Sequence, residues 1–298
     1  MTILTDASPE WSESEGARAF LWRLFRGSGA AIPFAVLAAI TLAVVLGPVI
    51  AGYDPNNIQP ANQLQGPSLQ HLLGTDELGR DLMVRVLSGG QLALGIAIAS
   101  TAIALFIGVV WGGSAALGGK LLDEVLMRTG DAAMAIPFLL AALVFVAAFG
   151  ASIVTLVAIL GILHAPFTAR IARVGFLTER HSDYYLAAIA YGASRRRLLF
   201  SEVLPNVVPT LLVQSSLVAA SVILTEAALS FVGLGVQPPA ASWGTLLQQG
   251  YAQIYSSTWY MVAPAVMIFV TIWCLNALAD HLQSVLDPRG AHSLVAET

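Results

Sequence analysis

Residues 183–205 decide the reading of this chain. They run Asp183-Tyr184-Tyr185-Leu186-Ala187-Ala188-Ile189-Ala190-Tyr191-Gly192-Ala193-Ser194, then Arg195-Arg196-Arg197, and six residues later Leu204-Pro205. Ser182 or Asp183 suits the cap of a short helix, the alanines give that helix a small-residue face, and Gly192 supplies its stop. Ser194 suits the cap of a second helix, which Pro205 closes or kinks. The pattern predicts a helix-turn-helix lying on a surface. Its shape suits docking into another protein's groove, and its three arginines equally suit a layer of anionic lipid.

The sequence on either side says what that surface belongs to. The 298 residues are 57% hydrophobic and 11% charged, with a mean hydropathy of +0.76. Soluble domains are about 25% charged, and a soluble fold of this size could not cover its surface with so few charges. The natural solvent is lipid. The single cysteine, Cys274, excludes a disulfide framework or a cysteine-rich metal site. A net charge of −4 suggests neither a nucleic-acid binder nor an acidic tail.

A membrane-spanning helix needs roughly 20 mostly apolar residues. Runs without Asp, Glu, Lys or Arg are 27–53, 86–119, 132–169, 203–225 and 227–279. The first gives one span, Ile32 to Ile50, and the second another, Gln91 to Leu117. The third would be roughly 57 Å long as one helix at 1.5 Å per residue. Gly150-Ala151-Ser152 divides it into two spans, the earlier starting near Glu124 and paired along its length by Glu124 and Arg128. The fourth run continues through Glu226 to Val232, and the last yields a span from Trp259 to Asp280 after the break at Gln237-Pro238-Pro239. Pro137 and Pro166 are expected to kink the third and fourth spans. The expectation is an all-α membrane protein with six transmembrane helices.

With six spans, one side of the membrane holds twelve of the fourteen basic residues and the other only Arg80 and Arg85. The basic side is expected to be cytoplasmic, with both termini on it. Trp243, Tyr251, Tyr255, Trp259 and Tyr260 gather where the outer interface belt is expected. The chain divides into an N-terminal tail (1–29), a first span (30–52), an outer loop (53–88), a core of five spans (89–283) containing the inner loop 178–205, and a C-terminal tail (284–298). The N-terminal tail is either disordered or a short cytoplasmic helix through Phe20, Leu21, Leu24 and Phe25. The outer loop, centred on Leu73-Gly74-Thr75-Asp76-Glu77-Leu78-Gly79-Arg80-Asp81, reads as compact and solvated.

Glu226 is the one acidic residue well inside a span. An intramembrane carboxylate is costly and usually faces protein or a water-filled path. It is a candidate for the translocation path, for a gate bond to a partner, or for an internal hydrogen bond. The histidines, His71, His164, His181, His281 and His292, show no ligand spacing, and His164 reads as a packing residue.

The inner loop resembles the coupling loop of binding-protein-dependent ABC importer permeases. That pattern runs Glu-Ala-Ala, three residues, Gly, nine residues, Ile-x-Leu-Pro. Ala187-Ala188, Gly192 and Leu204-Pro205 match it, whereas Leu186 replaces the Glu and Glu202 the Ile. Leu73 to Asp81, Glu226 to Pro239 with Ser242-Trp243-Gly244, and Leu286-Asp287-Pro288-Arg289 look like the C-type subunit of the dipeptide/oligopeptide and nickel branch. The resemblance covers residues 30 to 290. It implies a type I importer permease fold and import of di- or oligopeptides, with a nickel chelate as the alternative cargo.

The resemblance further implies a heterodimer with a B-type permease, two ABC ATPases and an extracytoplasmic peptide-binding protein, in a bacterial cytoplasmic membrane. ATP and Mg would sit on the ATPases. Consistently, Gly119-Lys120 lacks a Gly at Ser114 and a Ser/Thr at Leu121, so it forms no phosphate loop. The coupling residues would be Asp183, Tyr184, Tyr185, Leu186, Ala187, Ala188, Gly192, Ala193, Ser194, Arg195, Leu204 and Pro205, with Tyr184 and Tyr185 as anchors. Catalytic, cofactor and metal residues are not expected in this chain. An ion-coupled secondary transporter would need a relay of charged groups in the spans, which Glu226 alone does not make. A membrane enzyme would have to use Asp123, Glu124, Arg128 and Asp131.

Overall fold

The computed structural model describes residues 28–51 and 54–286, so the N-terminal tail and Leu286-Asp287-Pro288-Arg289 beyond its first residue lie outside the described residues. The described chain is helical: α1 Ser28–Ala51, α2 Leu82–Leu117, α3 Lys120–Met134, α4 Phe138–Phe149, α5 Ile153–Arg180, α6 Asp183–Ala190, α7 Leu204–Phe231, α8 Trp243–Ala252 and α9 Thr258–Leu286. A single turn, Arg195–Arg197, and a wider π-turn, Leu198–Val203, lead into α7.

Among the described residues, four helices are long and apolar enough to cross a membrane: α2, α5, the stretch Leu198–Phe231 and α9. The pair α3 and α4 makes a fifth if counted as one broken span, and α1 has a shorter apolar stretch, Ala31–Gly47. The expected third span is therefore not one kinked helix. Proline at 137 cannot donate a main-chain hydrogen bond, and α3 and α4 bend by 84° at that break. At 12 residues, α4 reaches only about 18 Å. The ion pairs of α3 run across to α5 rather than along the helix: Asp123 meets Arg173 and Asp131 meets Arg170, each at 2.5 Å.

Helix α2 starts nine residues earlier than Gln91. Asp81 caps it, its Oδ1 accepting from the Val84 N–H at 3.0 Å. Ser152 caps α5 in the same way through the Thr155 N–H at 3.1 Å. The helices α2 and α5 run parallel along a seam of glycines. A Cβ on Gly112 would lie 2.2 Å from the Ala169 carbonyl oxygen, one on Gly108 2.6 Å from Thr168, and one on Gly161 2.7 Å from Ile103. Small residues let helix backbones approach this closely in lipid. Two parallel helices require the chain between them, 118–152, to travel back. The neighbours of this pair run the other way. Gln91 of α2 donates to the Val44 carbonyl of α1 at 3.0 Å. His164 of α5 meets the Ser221 hydroxyl of α7 at 3.0 Å, while its Nδ1 donates to the Leu160 carbonyl at 2.7 Å.

The larger core cluster, with Leu82, Leu156, Leu160, Val222, Leu229 and Trp243, includes the α8 end of the bundle. A smaller one at the α6 end gathers Ala116, Ala172, Phe176, Tyr185, Leu198 and Val207. The aromatic belt needs correcting: Tyr251, Tyr255 and Trp259 are exposed, but Trp243 and Tyr260 are fully buried. The outer loop is not merely solvated either. Thr75, Asp76, Arg80 and Arg85 are buried, with Asp76 Oδ2 2.6 Å from Arg80 Nε and 3.2 Å from Arg85 Nε. Glu77 accepts from the Tyr260 hydroxyl, which ties the loop to α9.

Candidate functional site: the α6 segment

Helix α6 sits at the tip of two long helices, α5 and α7. Gly192 ends it in the left-handed region at φ +77°. The Gly192 N–H donates to the Ile189 carbonyl at 2.9 Å and the Ala193 N–H to the Ala188 carbonyl at 3.0 Å. This paired closure needs a residue that tolerates positive φ, which is why glycine stands there. Ser194 then starts the next turn, accepting from the Arg197 N–H at 3.4 Å. Arg195 opens that turn.

Tyr185 points inward, 9% exposed, among Phe176, Leu198 and Val203. It packs α6 against its own chain, so of the two tyrosines expected as anchors it is the buried one. Tyr184 stays part-exposed and bridges the two long helices. Its hydroxyl donates to the Glu179 carboxylate of α5 and accepts from Asn206 Nδ2 of α7 at 3.1 Å. Partial burial and then the Glu179 carboxylate push this hydroxyl's pKa above its ordinary value.

Asp183, Leu186 and Ala187 are exposed, and so are Ile189 and Tyr191, which the sequence reading did not single out. Tyr184, Ala187, Ala188, Gly192, Ala193 and Ser194 come together around a cavity of about 550 Å³. Leu204 lines a different, apolar cavity. Pro205 does not close a helix: it stands in the first turn of α7, and the π-turn before it carries the chain straight on. A missing donor is harmless in a first turn.

Glu226 is far from this site, 1% exposed in α7 at the α8 end. Its Oε1 accepts from the Ser230 hydroxyl at 2.6 Å, and Ser242 Oγ donates to Ser230 Oγ at 3.2 Å. Ser242 is also the cap of α8, with Thr245 reciprocating. The second oxygen, Oε2, is buried without a hydrogen-bond partner among the described residues.

The described residues thus form an all-helical bundle, with helices apolar enough to span a membrane and a short exposed helix at one tip. The solved structure of the MetNI methionine ABC transporter in inward-facing conformations resembles it with a TM-score of 0.57 at 19% identity, over 68% of this chain and 97% of that one. The fold is that of a type I ABC importer permease. Residues 104–291 match the family described as binding-protein-dependent transport system inner membrane component, and the chain belongs to it. Residues 17–67 match the N-terminal TM domain of oligopeptide transport permease C. The di/tripeptide transport system permease protein DppC of Pseudomonas aeruginosa is 35% identical over 275 residues, 90% of this chain and 91% of its own. The oligopeptide transport system permease protein OppC of Bacillus subtilis is 34% identical over 254 residues, 85% and 83% respectively.

Proposed function

We propose that this chain is the C-type permease subunit of an ATP-driven importer that moves di- or oligopeptides across a bacterial cytoplasmic membrane. Its partners are a B-type permease subunit, two ABC ATPases that hold ATP and Mg, an extracytoplasmic peptide-binding protein and the surrounding lipid. The chain itself catalyses nothing and binds no cofactor. Peptide cargo rests on the relatives named for peptides, which disfavour the nickel-chelate alternative. The six-span reading is supported by the parallel course of α2 and α5, which makes 118–152 a return crossing, and by the 24-residue length of α1. With the basic loops inside, both termini are cytoplasmic and α6 projects into the cytoplasm.

The observation that carries the proposal is the exposed edge of α6, where Leu186 and Tyr191 are 55% and 92% exposed while Tyr185 locks the helix to its own bundle. A helix gripped from outside and fastened inside transmits a push to α5 and α7. Asp183, Tyr184, Leu186, Ala187, Ala188, Gly192, Ala193, Ser194 and Arg195 form the coupling face, with Leu204 and Pro205 carrying it into α7. Leu186 makes an apolar contact where the motif has a carboxylate. Glu226 enters the proposal through its free Oε2, the atom available to a gate bond when α8 moves. Unaltered uptake and stability in Glu226→Gln would remove it from the path.

The test is affinity purification of the chain in mild detergent with mass spectrometry, followed by uptake in proteoliposomes. A second permease and ATPases arriving in stoichiometric amounts, with uptake stopped by vanadate but not by an uncoupler, is the expected result. A chain that purifies alone and transports under an ion gradient would overturn it.

A further inference from the structure

One groove outside the α6 site gathers charge in a chain that is only 11% charged. It is a cavity of about 570 Å³ between α3 and α5, lined by Lys120, Asp123, Glu124, Arg128 and Asp131 from α3 and Arg170 and Arg173 from α5. This volume lies within the roughly 300–1,000 Å³ range of small-molecule sites. At 100° per residue the charged residues of α3 share one face, while Leu121, Leu122 and Val125 lie on the other and are exposed. An amphipathic helix at the end of a membrane bundle turns its apolar face to lipid, so the charged face lines water.

The two ion pairs in the groove differ in kind. Arg173 grips Asp123 with two parallel bonds, Nε to Oδ1 and Nη2 to Oδ2, both 2.5 Å, with each side chain about a quarter exposed. That fork-to-fork geometry straps α3 to α5. Arg170 holds Asp131 through Nη2 alone, and both side chains are 51% exposed. A single bond between half-exposed groups exchanges readily with a competing ion. Lys120, Glu124 and Arg128 are in no ion pair among the described residues.

We propose that this groove is an exit-side subsite for the charged ends of a zwitterionic peptide. The cargo carboxylate displaces Asp131 from Arg170, and the freed Asp131, with Glu124 nearby on the same face, receives the cargo ammonium. Each cargo end is thereby exchanged for a protein ion already present, so the groove keeps its charge balance as peptide passes. This rests on the peptide-permease reading and deepens it, by naming side chains that meet the cargo before release.

The experiment uses the full transporter in proteoliposomes with saturating receptor. It compares uptake of a tripeptide with free ends, the same peptide amidated at its C-terminus, and the same peptide acetylated at its N-terminus. The receptor's own preference is common to wild type and variant and cancels from their ratio. Arg170→Gln is expected to lower uptake of the free peptide about tenfold and to leave the amidated one within twofold. Asp131→Asn should do the same with respect to the acetylated peptide. The double variant, Arg170→Gln with Asp131→Asn, keeps a neutral hydrogen-bonding pair between the helices and is expected not to restore uptake of the free peptide.

Rescue by the neutral double variant, unchanged discrimination in the single variants, or loss of the partner permease from the purified variants would overturn the subsite. The last result would make the groove a subunit contact. A wild-type transporter that imports no peptide at all sinks the cargo reading, and this inference with it. One that imports peptides with unchanged discrimination in the variants sinks the subsite alone.

Discussion

Trp243 donates its indole Nε1–H to the main-chain carbonyl of Val86 at 2.9 Å, across 157 positions of sequence. The bond joins the first turn of α8 to α2, and Gly90 makes room for it: a Cβ there would lie 2.8 Å from the Trp243 ring and 2.7 Å from Val44. Buried tryptophans that find a partner for their N–H fasten as well as fill.

Removing only the donor should separate those two contributions. Trp243→Phe is expected to destabilise by about 0.5–1.5 kcal/mol, the net range of a typical hydrogen bond, since the Val86 carbonyl keeps its place in the α2 ladder. Trp243→Ala should cost about 3–5 kcal/mol through its cavity. Thermal unfolding of the purified complex reads both, and an unchanged melting temperature in Trp243→Phe would mean that the hydrogen bond contributes nothing.

The glycine seam predicts a contrast within one helix. Gly112→Ala drives a methyl into the Ala169 carbonyl, whereas Gly95→Ala meets nothing within 4 Å. The first should destabilise by about 1–3 kcal/mol. The second should stabilise by a few tenths up to about 1 kcal/mol, because alanine loses less backbone freedom in a helix. Paired melting curves of the two variants check this, and the prediction fails if they move together.

Asp76 is fully buried between two arginines that are themselves 6% and 2% exposed, Arg80 and Arg85. Asp76→Asn keeps the shape and removes the charge. Breaking a buried pair from one side costs about 3–5 kcal/mol, so the variant should accumulate poorly and expose its outer loop to protease. A limited-proteolysis pattern identical to wild type would show that the network is not holding the loop.

At Gly192 the strain is in the backbone, since a Cβ would meet nothing within 4 Å while φ is +77°. Gly192→Asn should therefore be mild, asparagine being the other residue that tolerates this region. Gly192→Val should unwind the closure of α6 and lower transport-coupled ATP hydrolysis several-fold without loss of membrane insertion. Stimulated ATPase rates in proteoliposomes test the order Gly, Asn, Val, and equal rates for Asn and Val would refute it.

The stop at Gly192 and the divide at Gly150 were legible because each rests on local chemistry, a positive φ and a turn, whereas α6 starts at Asp183 without the expected side-chain cap, Ser182 turning its hydroxyl back to the Glu179 carbonyl. Helix α2 was read short because a search for charge-free runs stops at Arg85, whose charge is met by Asp76 nine residues away in sequence. Helix α9 was read short for a similar reason, stopping at Asp280 although it continues to Leu286. Trp243 and Tyr260 look like interface aromatics in sequence, and only tertiary partners, the Val86 carbonyl and Glu77, put them inside. The inward turn of Tyr185 follows from the helical phase of α6 against Phe176, which composition does not encode. The charged face of α3 was visible as a cluster, but its partners on α5 lie 39 and 50 residues away.

The glycine seam makes α2 and α5 a single girder, too closely set for either to slide past the other. Compliance in this chain is then concentrated in the leg that returns between them. There Pro137 withholds an amide from the ladder and the helix is already folded through 84°. An opening at either end of the bundle must be taken up in that leg, as a knee works between two fixed bones.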